Sequence, residues 1–183
     1  MNLETPQVVL RSLRTDDYGF LYYLRTEVSS LHLWENPYHL PSQKEYYQEL
    51  DSLQRNRFEI FAVIALQGKP EPIGMVYTLS TNLVDGHTFF AGVIAPNARR
   101  MTVGTQAATQ FISFCFSRLP IRKLYSDVSD FNAGSLALMH KLGFVEEGRF
   151  SDHRFFEGGY WTGYRFAFFR HQVTALPLLA TAM

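Results

Sequence analysis

The sequence has little of several features that would narrow its function at once. It contains one cysteine in 183 residues, Cys115, so it has no disulfide framework and a reducing compartment is the expected setting. Lys plus Arg equals Asp plus Glu at 17 each, which argues against the broad basic surface that binds nucleic acid or anionic membranes. There is no uninterrupted run of about 18 apolar residues and no leader-like segment. We expect a soluble, cytoplasmic protein without a nucleic-acid or membrane partner, and no His or Cys spacing indicates a metal site.

The chain is rich in aromatic residues and long enough for one core. Its 183 residues include 16 Phe and 10 Tyr, most of which we expect in the core, with WENPY and FFEGGYW as candidate pocket walls. We predict one domain over residues 1–171 and an apolar tail over residues 172–183. The tail either packs on the body or frays.

Hydrophobic periodicity predicts an alternation of strands and helices. Strands are predicted over residues 8–13, 57–66, 72–80, 87–96, 122–128, 143–156 and 160–170. Helices are predicted over residues 15–27, 42–55, 103–118 and 132–142. This order predicts a single-domain α/β (α+β) fold, in which a mixed, mostly antiparallel central sheet of about seven strands is flanked by about four helices.

The stretch RRMTVGT, residues 99–105, lies where a predicted strand feeds a helix. The first turn of a helix has unpaired N–H groups and the positive end of the dipole, so it can hold an anion. Arg99 and Arg100 add donors that suit phosphate, and Gly104 allows a close backbone approach. The alternative is a packing turn with two solvated arginines.

Gly92, inside the predicted strand 87–96, indicates a β-bulge. A bulge there would splay this strand from the predicted strand 122–128 and leave unpaired peptide groups above the candidate anion site. An extended ligand that carries amides could then pair with them like an added strand. A bulge without any ligand role is the alternative.

The stretch DFNAGSLALMHKLGF reads as a well-capped helix. Asn132 suits the N-cap and Gly143 the position after the C-terminus. Ser135 and Met139 follow Asn132 at helical spacing, so these side chains can share one face near the helix start.

Together these segments resemble two motifs of the GCN5-related N-acetyltransferase (GNAT) superfamily. Residues 99–104 resemble the R/Q-x-x-G-x-G/A acetyl-CoA loop, and residues 132–144 resemble N-x-x-S-x-x-L-Y-x-K-L-G-F. The likeness extends over most of the chain. The opening VVLRSLRTDDYGFLYYLR and the ending GFVEEGRF…EGGYW resemble the branch with ribosomal-protein-alanine, spermidine and small-amine acetyltransferases.

The resemblance implies an acetyl-CoA-dependent N-acetyltransferase with the GNAT fold. It would transfer the acetyl group directly, in a ternary complex, from the co-substrate acetyl-CoA to a primary amine of a small molecule or a protein N-terminus, without a metal. Relatives are often dimeric, so a homodimer is the assembly to test. The implied cofactor-binding residues are Val93, Ile94, Arg99, Arg100, Met101, Thr102, Val103, Gly104, Thr105, Asn132, Ser135, Leu138 and Met139. Amides of residues 101–105 would cradle the pyrophosphate, and peptide groups of Val93 and Ile94 would pair with pantetheine.

Two positions depart from the family pattern. Thr102 replaces the first loop glycine, so either its peptide keeps an ordinary conformation or the loop grips phosphate less closely. Met139 replaces a tyrosine that protonates the departing thiolate in many relatives, and a thioether cannot donate a proton. We assign that role to Ser135, with Asn132 beside it. Two alternatives stay open: a CoA-binding module with little catalysis, and an acyltransferase that uses longer acyl-CoA or carrier-protein thioesters.

The general base has several candidates because the fourth predicted strand lacks the glutamate found in relatives. We name His87 at the strand start and Glu35 in the aromatic loop, with water as an alternative. Further candidates are Asp152, His153, His32, His39 and Glu157.

Overall fold

One sheet of eight strands forms the centre of the protein. The computed structural model describes residues 2–5, 7–34 and 38–176. In these ranges the strands are β1 (Asn2–Glu4), β2 (Val8–Arg11), β3 (Phe61–Leu66), β4 (Pro72–Asn82), β5 (His87–Ile94), β6 (Lys123–Ser129), β7 (Val145–Phe156) and β8 (Gly159–Phe169). The helices are α1 (Tyr18–Thr26), α2 (Gln43–Arg55), α3 (Met101–Arg118) and α4 (Ala133–Leu142), with short 3-10 segments at Thr15–Asp17, Val28–Leu33, Pro96–Ala98 and Arg170–Ala175. The predicted α/β fold is confirmed, and the three-residue β1 is the strand that the sequence pattern missed.

The strands lie in the order β1-β2-β3-β4-β5-β6-β8-β7. All neighbours are antiparallel except β5 and β6, which are parallel. These two pair only where they begin, His87–Phe89 with Lys123–Tyr125. Beyond that point β5 continues to Ile94 and β6 to Ser129 without pairing to each other. We call this opening, between residues 90–94 of β5 and 126–129 of β6, the notch.

Helices cover both faces of the sheet, and each face has its own core. On one face, α1 and α2 pack through Leu21, Leu24 and Leu50 against Met75 and Val93. On the other face, α3 and α4 pack against the alternate residues of the same strands, Val76 and Phe90 among them. Because side chains alternate along a strand, neighbouring residues of β5 serve different cores.

The bulge predicted at Gly92 is wrong. β5 pairs with β4 without a break from Phe89 to Ile94, and the irregularity lies at the start of β5, where Ser80 and Thr81 of β4 together stand opposite one residue. Ser80 has a φ of +54° there. Glu59 holds the bulge, because its carboxylate accepts hydrogen bonds from the Thr81 N–H at 2.9 Å and the Thr81 hydroxyl at 2.8 Å. The predicted splay of the two strands is nevertheless present.

The helix ends follow their capping signals. α3 begins at Met101, two residues before the predicted start, and Thr102 lies inside it without a positive φ. For α4, Asn132 is the N-cap and Gly143 ends the helix with a φ of +83°, as predicted. The tail begins by packing on the body, since Leu176 is fully buried. Within the part of the chain that is described, no helix is long and apolar enough to cross a membrane.

Candidate functional site

The notch joins two pockets on opposite faces of the sheet. The first, which we call the α4-side pocket, extends under α3 and α4 and holds about 840 Å³ of empty space, part of it open to solvent. The second, the β7-side pocket, holds about 1250 Å³, also partly open. Residues 90–91 of β5 and 127–129 of β6 line both, as do Leu33 and Arg154. Two molecules entering from opposite faces would therefore meet between the splayed strands.

The backbone of β5 alternates between its two neighbours. A β-carbon added at Gly74 of β4 would lie 2.4 Å from the carbonyl oxygen of Val93, so the carbonyl of Val93 faces β4. The Ala95 N–H also bonds to β4, at 2.8 Å from the Ile73 oxygen. By alternation, the N–H and C=O of Gly92 and of Ile94 face the notch. Of the two residues predicted to pair with a ligand, Ile94 has this orientation and Val93 does not.

The start of α3 lies beside the notch and has free donors. The Gly104 N–H already donates to the Arg100 oxygen at 3.1 Å, so the helix bonds begin there. The preceding amides, of residues 101–103, have no intrahelical acceptor. Val103 and Thr105 have buried side chains and belong to the core side of the helix, whereas Thr102 is exposed. An anion at this end would contact the first three amides of α3.

The two arginines before α3 have different surroundings. Arg99 donates through Nε to the Ile94 oxygen at 2.9 Å and through a terminal nitrogen to the Ser30 hydroxyl at 2.5 Å. It thus ties the Val28–Leu33 segment to the end of β5. The side chain of Arg100 is exposed and makes no hydrogen bond or ion pair with the described residues. Of the pair, Arg100 is the one with its donors available to a phosphate.

The predicted α4 residues converge on one pocket. Asn132, Ser135, Leu138 and Met139 all line the α4-side pocket, together with Gly104 of α3. Asn132 caps the helix, its Oδ1 accepting from the Ser135 N–H at 3.1 Å. Within the described part of the chain the Ser135 hydroxyl has no hydrogen-bond partner. It is therefore available to a molecule in the pocket, rather than bonded to the helix backbone.

The base candidates are scattered. His87 lies at the closed end of the notch opposite Lys123, its ring 5.5 Å from that of Tyr125, and lines neither pocket. Glu35 lies outside the described residues. His153 lines the β7-side pocket, and His32 lines the α4-side pocket.

Sequence reasoning named Asp152 and His153 of β7 as base candidates but missed Arg154 and the bulge that places these residues. A second irregularity separates Phe150 from Arg154 of β7, and Asp152 within it has a φ of +50°. This bulge directs His153 and Arg154 toward the β7-side pocket. The same pocket contains Asp127, whose oxygens accept from Arg165 at 2.8 and 2.6 Å. Asp adopts a positive φ more often than most residues do, but a single Asp in a strand pattern does not identify a bulge.

The fold and the notch define a class: α/β proteins whose central sheet opens between two neighbouring parallel strands. A search of known families matches residues 7–145 to the acetyltransferase (GNAT) domain. A spermidine N(1)-acetyltransferase from Escherichia coli (strain K12) is 29% identical over 173 residues, covering 92% of this chain and 89% of that protein. The crystal structure of spermidine N-acetyltransferase from Vibrio cholerae in complex with CoA and spermine aligns with a TM-score of 0.84 at 24% identity, over 92% of this chain and 99% of that one.

A ribosomal-protein α-N-acetyltransferase in complex with coenzyme A has the same fold, with a TM-score of 0.80 at 15% identity, over 92% of this chain and 98% of that one. The family match covers most of the chain. The chain therefore belongs to the GNAT acetyltransferase family, and it is an acetyl-CoA-dependent N-acetyltransferase.

Proposed function

We propose that this enzyme acetylates a small primary amine, with the donor in the α4-side pocket and the acceptor in the β7-side pocket. The observation that carries the proposal is the notch itself, which connects pockets on both faces of the sheet through Phe90, Ala91, Val128 and Ser129. Direct transfer needs both reactants bound at once and their reacting atoms close together. One opening between two pockets meets that requirement.

The residues present fit acetyl-CoA, which supplies an acetyl group activated as a thioester. Gly92 presents its N–H and C=O, and Ile94 its N–H, to an extended chain that carries amides, whereas the Ile94 oxygen already accepts from Arg99. The first amides of α3 suit a pyrophosphate. Gly104 has no side chain to fill this part of the α4-side pocket. A β-carbon added there would lie 3.9 Å from Ile94 and from Leu138, which is ordinary van der Waals contact. These features support the donor assignment from this chain's own geometry.

The catalytic groups act by position and by proton transfer. An N–H of the notch at Gly92 or Ile94 polarises the carbonyl, which favours attack at its carbon. The free Ser135 hydroxyl donates a proton to the departing sulfur, the role that Met139 cannot fill. Asn132 fixes the first turn of α4 and with it the position of Ser135.

The test is amine-dependent release of free thiol from acetyl-CoA, with product mass as confirmation. Three amines are compared: spermidine, 2-phenylethylamine and a tripeptide with a free N-terminus. Spermidine is included because the Escherichia coli relative is named for its acetylation. Acetylation of spermidine or 2-phenylethylamine supports the proposal. Tight binding of acetyl-CoA without turnover would indicate a binding module, and turnover only with longer acyl thioesters would indicate a different donor. Either result would overturn the proposal.

A further inference from the structure

The Val28–Leu33 segment brings a histidine to the site. His32 lines the α4-side pocket with Asn132 and Ser135, and the next residue, Leu33, lines both pockets. The side chain thus stands beside the passage between donor and acceptor. Sequence spacing gave no such indication, because His32 is about a hundred residues from either partner in the chain.

The ring of His32 packs against two aromatic side chains that also contact each other, with their centroids 4.6 Å apart. Its centroid lies 6.0 Å from that of Phe131, which follows β6, and 5.5 Å from that of Phe156 at the end of β7. Neither phenyl ring can accept a proton, so the imidazole nitrogens are the basic atoms of this three-ring cluster. The Arg99 bond to Ser30 fixes the segment that carries His32.

Charged groups face His32 from three directions. Arg99 precedes α3, Arg154 belongs to β7, and Glu157 lies in the turn after β7. Burial lowers the pKa of His32 from 6.5, Arg99 and Arg154 lower it further, and Glu157 opposes them. The imidazole is therefore neutral near pH 7 and has a lone pair for a proton.

Among the described residues that line the α4-side pocket, Asp127 has the other strongly basic side chain, a carboxylate. Both of its oxygens already accept hydrogen bonds from Arg165, in a paired, fork-like contact. Protonation of Asp127 would break this ion pair, whereas protonation of His32 breaks none among the described residues. His32 is therefore a better candidate than Asp127 for the group that accepts a proton.

We propose that His32 is the base that deprotonates the acceptor's ammonium group, an assignment that rests on the proposed function. A ring nitrogen takes one proton, and the freed lone pair of the amine forms the C–N bond with the thioester carbonyl carbon. The C–S bond breaks, and the sulfur receives the second proton of the nitrogen through the Ser135 hydroxyl. The imidazolium then loses its proton to solvent. Arg99 and Arg154 assist, because like charges lower the pKa of an ammonium brought beside them.

The experiment compares His32→Gln with His171→Gln, a matched change at an exposed histidine outside both pockets. With acetyl-CoA and whichever amine of the panel the wild type uses fastest, His32→Gln should lower kcat at pH 7 by about 100-fold or more. Its kcat should rise about tenfold per pH unit between pH 7 and pH 9, because hydroxide replaces the base, and added imidazole should restore part of it. His171→Gln should keep the wild-type kcat, and both variants should bind acetyl-CoA normally.

Two outcomes would overturn the assignment. One is a kcat for His32→Gln close to that of the wild type, with the same pH profile. The other is a loss that is equal at every pH and insensitive to imidazole, as a purely structural role would produce. If the wild type itself acetylates no amine, the proposed function fails before His32 is tested.

Discussion

Gly104 offers a direct test of where the donor binds. A β-carbon built at this position lies 3.9 Å from Ile94 Cδ1 and 3.9 Å from Leu138 Cδ2, which is ordinary van der Waals contact. Alanine therefore fits, and inside a helix it is favoured over glycine by about 1 kcal/mol. We expect Gly104→Ala to raise the free energy of unfolding by about that amount and to leave acetyl-CoA binding close to wild type.

Gly104→Leu keeps the helix advantage but adds three more carbons. The β-carbon already touches Ile94 and Leu138, so the rest of the side chain has to extend into the α4-side pocket. Forcing extra carbons into filled space costs about 1–3 kcal/mol. At about 1.4 kcal/mol per factor of ten, acetyl-CoA should bind roughly 5-fold to 150-fold more weakly.

Isothermal titration with acetyl-CoA and urea unfolding separate the two effects. The expected pattern is equal stability of the two variants, with binding lost only in Gly104→Leu. If Gly104→Leu binds acetyl-CoA as tightly as Gly104→Ala, the donor does not lie over this position and the pocket assignment is wrong. If both variants unfold more easily than the wild type, the helical geometry at Gly104 is wrong.

Three further predictions test the phosphate end, the ion pair and the pH response. Arg100→Ala should weaken acetyl-CoA binding by about 1.5–3 kcal/mol, because a charge-assisted bond to phosphate is lost, and titration calorimetry measures this; unchanged affinity would leave Arg100 in solvent. Asp17 and Arg11 form an ion pair at 2.7 Å, and their side chains are 3% and 10% exposed. Asp17→Asn removes this pair and should lower the free energy of unfolding, measured in urea, by about 3 kcal/mol. A loss below about 1 kcal/mol would contradict a buried pair. The free energy of unfolding of the wild type should fall from pH 7.5 to about pH 5.5, because the lowered pKa of His32 makes the unfolded chain bind a proton more readily than the folded one. In the same urea titrations, His32→Gln should lose less stability over this range. An identical loss in the two proteins would refute this prediction.

Local signals predicted the elements whose ends they define. Ser42 caps α2 and Asn132 caps α4 through the side-chain bonds expected of such residues, and Gly143 has the left-handed conformation that ends α4. β1 was not predicted because three residues are too few for a periodic pattern, and they form a strand only by pairing with β2. The bulge in β4 escaped because it depends on Glu59, which is distant in sequence from the bonds it accepts.

The α4 part of the site could be predicted, because one helix fixes the spacing of Asn132, Ser135 and Met139. The β5 part could be predicted only as a segment. A strand pattern predicts which side chains share a face, but it does not predict which neighbouring strand the N–H and C=O of each residue face. The sequence therefore could not show whether Val93 or Gly92 presents its backbone groups to the notch. His32 reaches the site by tertiary packing alone, which no spacing encodes.

The pairing of the sheet makes the notch a preformed opening rather than a gap that a ligand must create. β5 is held along its outer edge by β4 as far as Ile94, and β6 is held by β8 as far as Ser129. Each of the two strands therefore keeps its position along the notch without pairing to the other. A ligand that pairs with β5 would meet donors already in place, so binding would cost little conformational entropy. Under the proposed function, the sheet places both reactants, and the chemistry left to side chains is the movement of two protons. The proposed base His32 and the hydroxyl of Ser135 would be enough for that step, without the tyrosine that Met139 replaces.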